Sequence, residues 1–371
     1  MQQTHYDILI AGGGAAGRIL LYFLSKEADF SKWNILVVES ENKISDKTWC
    51  FWNKQEHPFQ QLICKKWKQV SFAANHFYKT EQIAPYAYCC IRGKDFNHFF
   101  QTDFFPRYSN ISFRNETMLD YRNNDGTWEL QTNTNTYTCN QLFTNMPVAT
   151  NSKRLKQHFH GWFIEYDQPI FDPNKAMLMD FSAADGKGFT FFYVLPFDAN
   201  KALVECTFYS AETLSTDAYE KELKAYIVHH FGAGFRIAHS ESGSIPLIEE
   251  NPATTLPNHY LIGQSAGMIK ASTGYAFQRM TEDAALIAAS MGKQLQRRKR
   301  HARFRFYDRL LLCIMRENPE KAVSIFKQLF KRQSITEILT FLDEDTSLMD
   351  EIKIFLQLPW WPFIKRIWKV L

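Results

Sequence analysis

The chain has no Cys-x-x-Cys pair, no apolar run long enough to span a bilayer, and no basic leader ahead of its first apolar segment. Each absence excludes something. Seven cysteines (Cys50, Cys64, Cys89, Cys90, Cys139, Cys206 and Cys313) are odd in number and irregular in spacing. That rules out a zinc ribbon, argues against a disulfide framework, and points to a reducing cytoplasm. The start Met-Gln-Gln-Thr-His-Tyr carries no charged n-region, so no signal peptide is read. The stretch from Ile8 to Leu24 is broken by Gly12, Gly13, Gly14 and Arg18, and reads as strand, turn and helix rather than a span. A net charge of +4 is too small to imply a nucleic-acid partner. No repeat, low-complexity segment or linker divides the chain, which predicts interleaved domains rather than domains in series.

What is present suits a folded chain of 371 residues, 45% hydrophobic and 22% charged. Aromatics reach 15%, with 32 Phe, consistent either with large apolar cavities or a membrane-facing surface, or with a Phe-rich core. Basic residues crowd one stretch: Lys293, Arg297, Arg298, Lys299, Arg300, Arg303 and Arg305. They read as a solvated helix face or as a contact with anionic lipid.

Tyr6 to Ala11 reads as a buried strand, Arg18 to Lys26 as a helix, and Asn34 to Val38 as a second buried strand ending on Glu39. Between them, Gly12-Gly13-Gly14-Ala15-Ala16-Gly17 matches G-x-G-x-x-G. The acid at Glu39 falls at about the ~20-residue spacing a dinucleotide fingerprint requires. Gly12 permits the turn, Gly14 lets backbone approach a pyrophosphate, and Gly17 allows the helix to pack on the strand. The helix N-terminus offers N–H groups to phosphate, and Glu39 offers acceptors to ribose hydroxyls. A late strand–glycine segment, Tyr260-Leu-Ile-Gly-Gln-Ser-Ala-Gly267, and the N-terminal position of the motif favour FAD over NAD by analogy of fold. Gln264 stands where many such enzymes carry Asp.

Turn signals at Asn123-Asn124-Asp125-Gly126, Ala184-Asp185-Gly186 and Asp198-Ala199-Asn200 mark hairpins. The strand-like runs from Met177 to Phe208 predict an antiparallel sheet. A helix is expected from about Gln278 to Met291, and helices from about 300 onward. The fold class is therefore α/β. A Rossmann-like FAD-binding domain (1–60 plus about 255–295, with parts of 85–150) interleaves with an antiparallel-sheet substrate domain (about 61–254). A helical C-terminal region (296–371) follows.

Six segments together resemble bacterial lycopene beta-cyclases. They are Asp46-Lys-Thr-Trp-Cys-Phe-Trp52, Tyr86-Ala-Tyr-Cys-Cys-Ile-Arg92, and Gly161-Trp-Phe-Ile-Glu165. The others are Met179-Asp-Phe181 with Phe192-Tyr-Val-Leu-Pro196, Ala202-Leu-Val-Glu-Cys-Thr207, and Ala271-Ser-Thr-Gly-Tyr-Ala276. The resemblance implies a redox-neutral closure of the ψ-ends of lycopene to β-rings, with bound reduced FAD and NAD(P)H as a candidate reductant. It implies Glu205 as the general acid, with Asp180 as a second carboxylate that positions it or the flavin. Apolar neighbours in a strand suit an acid kept protonated; an outward-facing Glu205, or a turn role for Asp180, is the plain alternative. Arg92, Gly263, Gly274 and Tyr275 join the glycine turn as cofactor contacts. Trp49, Trp52, Tyr86, Trp162 and Tyr193 are the substrate-lining candidates, with Tyr88 and Tyr275 beside them as further cavity aromatics; ordinary core is the plain alternative for each. The alternatives are a flavin-dependent isoprenoid reductase or monooxygenase, and a non-catalytic carotenoid-binding flavoprotein. The C-terminal Trp360, Trp361, Phe363, Ile364, Ile367 and Trp368, interspersed with Lys365, Arg366 and Lys369, read as an interfacial anchor or as a helix docked on the body. The anchor reading places the protein in the cytoplasm, peripheral to the inner face of the cell membrane.

Overall fold

The computed structural model describes residues 4–40, 47–145, 154–183, 186, 188–248 and 256–370. Asp46, Ala184 and Asp185, named above, lie outside them. Three sheets form among the described residues. The first is built on the strand Thr4–Ala11, parallel to Ile35–Glu39 on one side and Thr136–Thr144 on the other. Ile111–Asn115 and the late strand His259–Leu261 extend the parallel set. Such strands are covered on both faces, which is why Ile8 to Ile10 and Ile35 to Val38 are unbroken apolar runs. The hairpin Met118–Asn124 to Thr127–Thr132 turns on Asp125 and Gly126, both at positive φ, as a two-residue loop matching strand twist requires.

The second sheet runs Phe235–Pro246, Lys156–Tyr166, Lys201–Ser210, Phe189–Pro196, Lys175–Asp180, Gln69–Ala74, Phe77–Gln82. It is antiparallel except where Lys175–Asp180 meets Gln69–Ala74. The chain enters this sheet at residues 69–82, leaves for the first sheet, and returns at 156, so the two sheets are interleaved along the sequence. One face is covered by the helix Thr216–Phe231, whose Leu223, Tyr226 and Ile227 pack on Trp162, Phe192 and Val204. The opposite face is covered by a small sheet (Thr48–Asn53, Ala87–Arg92, Ile63–Trp67) and by the C-terminal helices. There Phe72 stacks on Phe330 with ring centroids 4.0 Å apart. Because strand side chains alternate between faces, parity along each strand decides which residues look inward toward the helices.

The helix Phe277–Ala289 packs against Ala15–Leu24, and five helices follow: Ala302–Glu317, Pro319–Arg332, Ile335–Leu342, Leu348–Leu356 and Trp361–Val370. Reciprocal capping at Ser334 with Glu337, and at Ser347 with Asp350, fixes two of their starts. The helix-face reading of the basic run is overturned for most of its length. Residues 293–301 precede the helix instead of lying along it. Arg297 pairs with Asp283 at 2.6 Å, Arg298 with Glu282 at 2.7 Å, and Arg303 with buried Glu351 at 2.9 Å. Arg300 donates to the Gly267 carbonyl. Only Lys293 and Lys299 of the run stay fully exposed. These cations tie the helical region to the rest of the chain.

Candidate active site

The glycine turn has the bareness its motif requires. A Cβ at Gly17 would meet the Gly12 carbonyl oxygen at 2.2 Å, and one at Gly13 would meet the Glu39 Cβ at 3.0 Å. The helix Ala15–Leu24 starts at Gly14 with no side-chain cap, which leaves the N–H groups of its first turn as donors for an anion. Glu39 ends its strand beside this turn; its Oε2 lies 3.7 Å from where a Gly14 Cβ would sit. The late segment returns to the same place: a Cβ at Gly263 would fall 2.7 Å from the Ala16 Cβ. Arg18 folds back to donate to the Gly13 carbonyl at 2.7 Å. These residues fit a dinucleotide pyrophosphate and ribose.

Glu205 sits mid-strand in Lys201–Ser210 and lines a cavity of about 250 Å3. Its side chain is half-buried on the cavity wall. Phe159, Tyr193, Leu203, Tyr275, Phe277 and Met280 form much of the wall. The carboxyl is pushed up to about 8, first by burial and then by the charge of Glu241; one hydrogen bond, from Thr207 Oγ1 at 2.9 Å, works the other way. At neutral pH it is therefore mostly a carboxylic acid able to give up a proton. Tyr275 donates to or accepts from Tyr88 at 2.8 Å and lies 3.5 Å from Tyr193. Burial raises all three phenols, so they remain neutral.

Trp49, stacked on Phe277, is at the cavity edge, and Gly274 approaches its wall, where a Cβ would fall 1.9 Å from Gln157 Oε1. Other candidates are placed elsewhere. Pairing sets Tyr193 opposite Glu205, but Asp180 opposite Phe192 and Trp162 opposite Val204. Asp180 and Trp162 therefore face the Thr216–Phe231 helix, on the far side of the sheet from Glu205. Asp180 there accepts hydrogen bonds from the Tyr226 hydroxyl at 2.7 Å and the Ser182 amide at 2.8 Å. Trp52 and Tyr86 both donate to Asp343, at 2.5 and 3.0 Å, joining the small sheet to the C-terminal helices. Tyr86 does not line the cavity, and Trp52 touches it only through Tyr275, 4.5 Å between ring centroids. Arg92 lies over Phe197 in an adjoining hollow that shares Thr48 with the Glu205 cavity. Tyr88, named from the sequence as a lining candidate, is on the cavity wall. Sequence reasoning missed Glu241, Thr48 and Gln157. Thr48 stood inside a quoted segment; Glu241 sits in a polar run, Ser240-Glu-Ser-Gly-Ser244, that signals only an exposed edge strand.

The arrangement of two large sheets and one small one is that of known flavoprotein structures. The chain superposes on a geranylgeranyl bacteriochlorophyll reductase-like protein of Thermoplasma acidophilum over 100% of both chains, with a TM-score of 0.61 and 12% identity. It superposes on Klebsiella pneumoniae HpxO, solved with FAD and uric acid, over 95% of this chain and 97% of that one, with a TM-score of 0.65 and 12% identity. At such identities the likeness is one of fold. The chain belongs to the lycopene cyclase family, whose description, lycopene cyclase protein, matches residues 7–367. It is 28% identical over 156 residues to the lycopene beta cyclase of Capsicum annuum, and 29% identical over 150 residues to the neoxanthin synthase of Solanum tuberosum. Those stretches span 38% and 37% of this chain but only 31% and 30% of the two relatives.

Proposed function

We propose that the chain is an FAD-dependent lycopene beta-cyclase, an intramolecular lyase of the isomerase class, converting the ψ-ends of lycopene to the β-rings of γ- and β-carotene. The observation that supports it most directly is Glu205, an acid kept protonated against an aromatic cavity. In this reading Glu205 gives its proton to the terminal double bond. The neighbouring double bond closes the ring, and loss of a ring proton regenerates the acid, so the product has the mass of the substrate. Tyr193, Tyr275 and Phe277 present ring faces to the cationic stage, each worth ~0.5–2 kcal/mol in a dry site, and the cavity excludes water that would trap the cation. Gly12 to Gly17, Glu39 and Gly263 would hold FAD, with Gly274 and Tyr275 toward the ring. Reduced FAD, when bound, supplies an electron-rich surface near the developing charge without passing electrons to the substrate; NAD(P)H is the candidate reductant. Asp180, on the other face, is assigned a structural part.

The substrate is insoluble in water, and the surface supports delivery from a membrane. Among the described residues, no helix is long and apolar enough to cross one. The last helix instead turns one of its three cations inward: buried Arg366 pairs with Glu317 at 3.1 Å, while Trp360, Trp361 and Trp368 are 63%, 53% and 85% exposed. The segment is thus docked on the body and presents tryptophan outward, which suits a peripheral contact with the inner face of the cell membrane.

The test is expression in a lycopene-accumulating bacterium, with pigments separated and weighed, for the wild type and Glu205→Gln. Cyclic product of unchanged mass from the wild type alone supports the cyclase and its acid. Product heavier by hydrogen or oxygen would mean a reductase or monooxygenase, and unaltered lycopene held by both proteins would mean a carrier.

A further inference from the structure

Glu205 has a second carboxylate on its face of the sheet. The register pairs Gly161 with Glu205 on one side and with Glu241 on the other, so the two acids flank a residue without a side chain. A Cβ at Gly161 would come within 3.3 Å of the Glu205 Cβ and 2.9 Å of Leu203 Cδ1. Glu241 is the one buried residue of the strand Phe235–Pro246, at 6% exposure, and its only acid. It is also fixed: the Thr48 amide donates to Oε2 at 2.9 Å and the Thr48 hydroxyl to Oε1 at 2.6 Å. Thr48 in turn lines the Glu205 cavity.

Two acids that flank one glycine on the same face of a sheet do not both ionise without cost, so the one holding more hydrogen-bond donors carries the charge. Glu241 accepts two donors from Thr48, whereas Glu205 accepts one from Thr207. We propose that Glu241 is a positioning residue for the reaction: a fixed carboxylate, held by Thr48, that keeps the proton on Glu205 until substrate takes it. This rests on reading Glu205 as the acid. The direction of the Glu205 shift, with Glu241 charge its second cause after burial, agrees with it. The other groups around Glu205 are Tyr193, Tyr209 and Tyr275, all raised and neutral, with Cys50 and Lys47 on the cavity wall. Arg92, Lys94 and His239 line the hollow on the far side of Thr48.

The experiment follows the protonated-carboxyl infrared band of Glu205 against pH in the flavin-loaded protein, assigned by its loss in Glu205→Gln, alongside turnover of lycopene in vesicles. In Glu241→Gln both the band and the alkaline limb of turnover move to lower pH, with a several-fold loss near pH 8 that acidification restores. Glu241→Asp, which keeps the charge, restores most of the shift. Thr48→Val, which removes one donor only, moves the band the same way by less and serves if Glu241→Gln does not fold. A Glu205 band titrating at the wild-type pH in Glu241→Gln, or in Thr48→Val where that is the folded variant, overturns the proposal. A displaced band in a protein that leaves lycopene untouched keeps the carboxylate pair and sinks the cyclase reading instead.

Discussion

At the residue scale, what the sequence makes legible is chemistry, and what it hides is parity. Glu205 could be singled out because its strand neighbours are apolar and its segment resembles a family motif. Asp180 and Trp162 stood in equally suggestive segments, yet one step of pleat turns them to the opposite face. Glu241 was invisible because a polar edge strand with one buried acid reads the same as one with none. The raised Glu205 carboxyl has a direct consequence for rate. Since the acid form is the working one, turnover should hold below about 8 and fall as pH rises through that value; a pH–rate profile still rising beyond it would point to a different proton donor. Gly274 supplies a second expectation. Its φ of +74° strains any L side chain, and a methyl group there would displace the end of Gln157, whose Oε1 lies 1.9 Å from the Cβ position. Gly274→Ala should therefore cost about 1–3 kcal/mol of stability and loosen flavin retention, read from thermal unfolding and from cofactor recovered after gel filtration.

At the scale of elements, the βαβ start, the hairpin at Asp125-Gly126 and the C-terminal helices follow from local periodicity and turn chemistry, and all were legible. The basic run was not, because most of its partners lie on other elements: Asp283, Glu344 and Glu351. Glu344, which follows the helix Ile335–Leu342, is the centre of this set, with Lys270 at 3.3 Å and Arg279 at 2.9 Å. Those cations hold its carboxyl down at about 2 against an ordinary 4.5, despite burial that opposes ionisation. A depressed acid contributes stability above its unfolded value and loses it as pH falls through the folded one. That contribution, on the order of 3 kcal/mol, should be complete above 4.5 and drain away toward 2. Glu344→Gln takes the carboxylate from buried Arg279, while Lys270 keeps Asp308 and Arg298 keeps Glu282, and should cost about 3 kcal/mol near neutrality. Urea unfolding against pH checks both, with the gap between the two proteins closing in acid. A gap that stays constant with pH would show that the carboxylate is not what stabilises this junction.

At the scale of the whole molecule, exposed apolar residues converge on one corner. Leu348, Met349, Ile352 and Leu356 stand out from one helix, and Trp360, Trp361, Ile364 and Trp368 from the next segment. Beside them lies a hollow of about 240 Å3 lined by Phe306, Leu310, Phe326, Phe355, Phe363 and other almost wholly apolar side chains. From its wall an unbroken series of ring contacts leads inward, Phe326 to Phe189 at 5.3 Å, Phe189 to Phe191 at 6.1 Å, and Phe191 to Tyr193 at 5.1 Å, ending at the Glu205 cavity. An apolar patch of this kind facing water is a liability unless something apolar covers it, and exposed Lys365 beside it would favour anionic lipid by about 1 kcal/mol, Lys353 and Lys369 being paired with Asp350 and Glu317. Replacing Trp360, Trp361 and Trp368 together by Ala should barely change folding, since these rings are exposed, but should sharply reduce flotation with anionic vesicles and turnover of vesicle-borne lycopene. Turnover of lycopene presented in detergent should persist, because the cavity is untouched. Equal loss in vesicles and detergent would mean that the tryptophans support the site itself, and undiminished flotation would mean that the membrane is met by another surface.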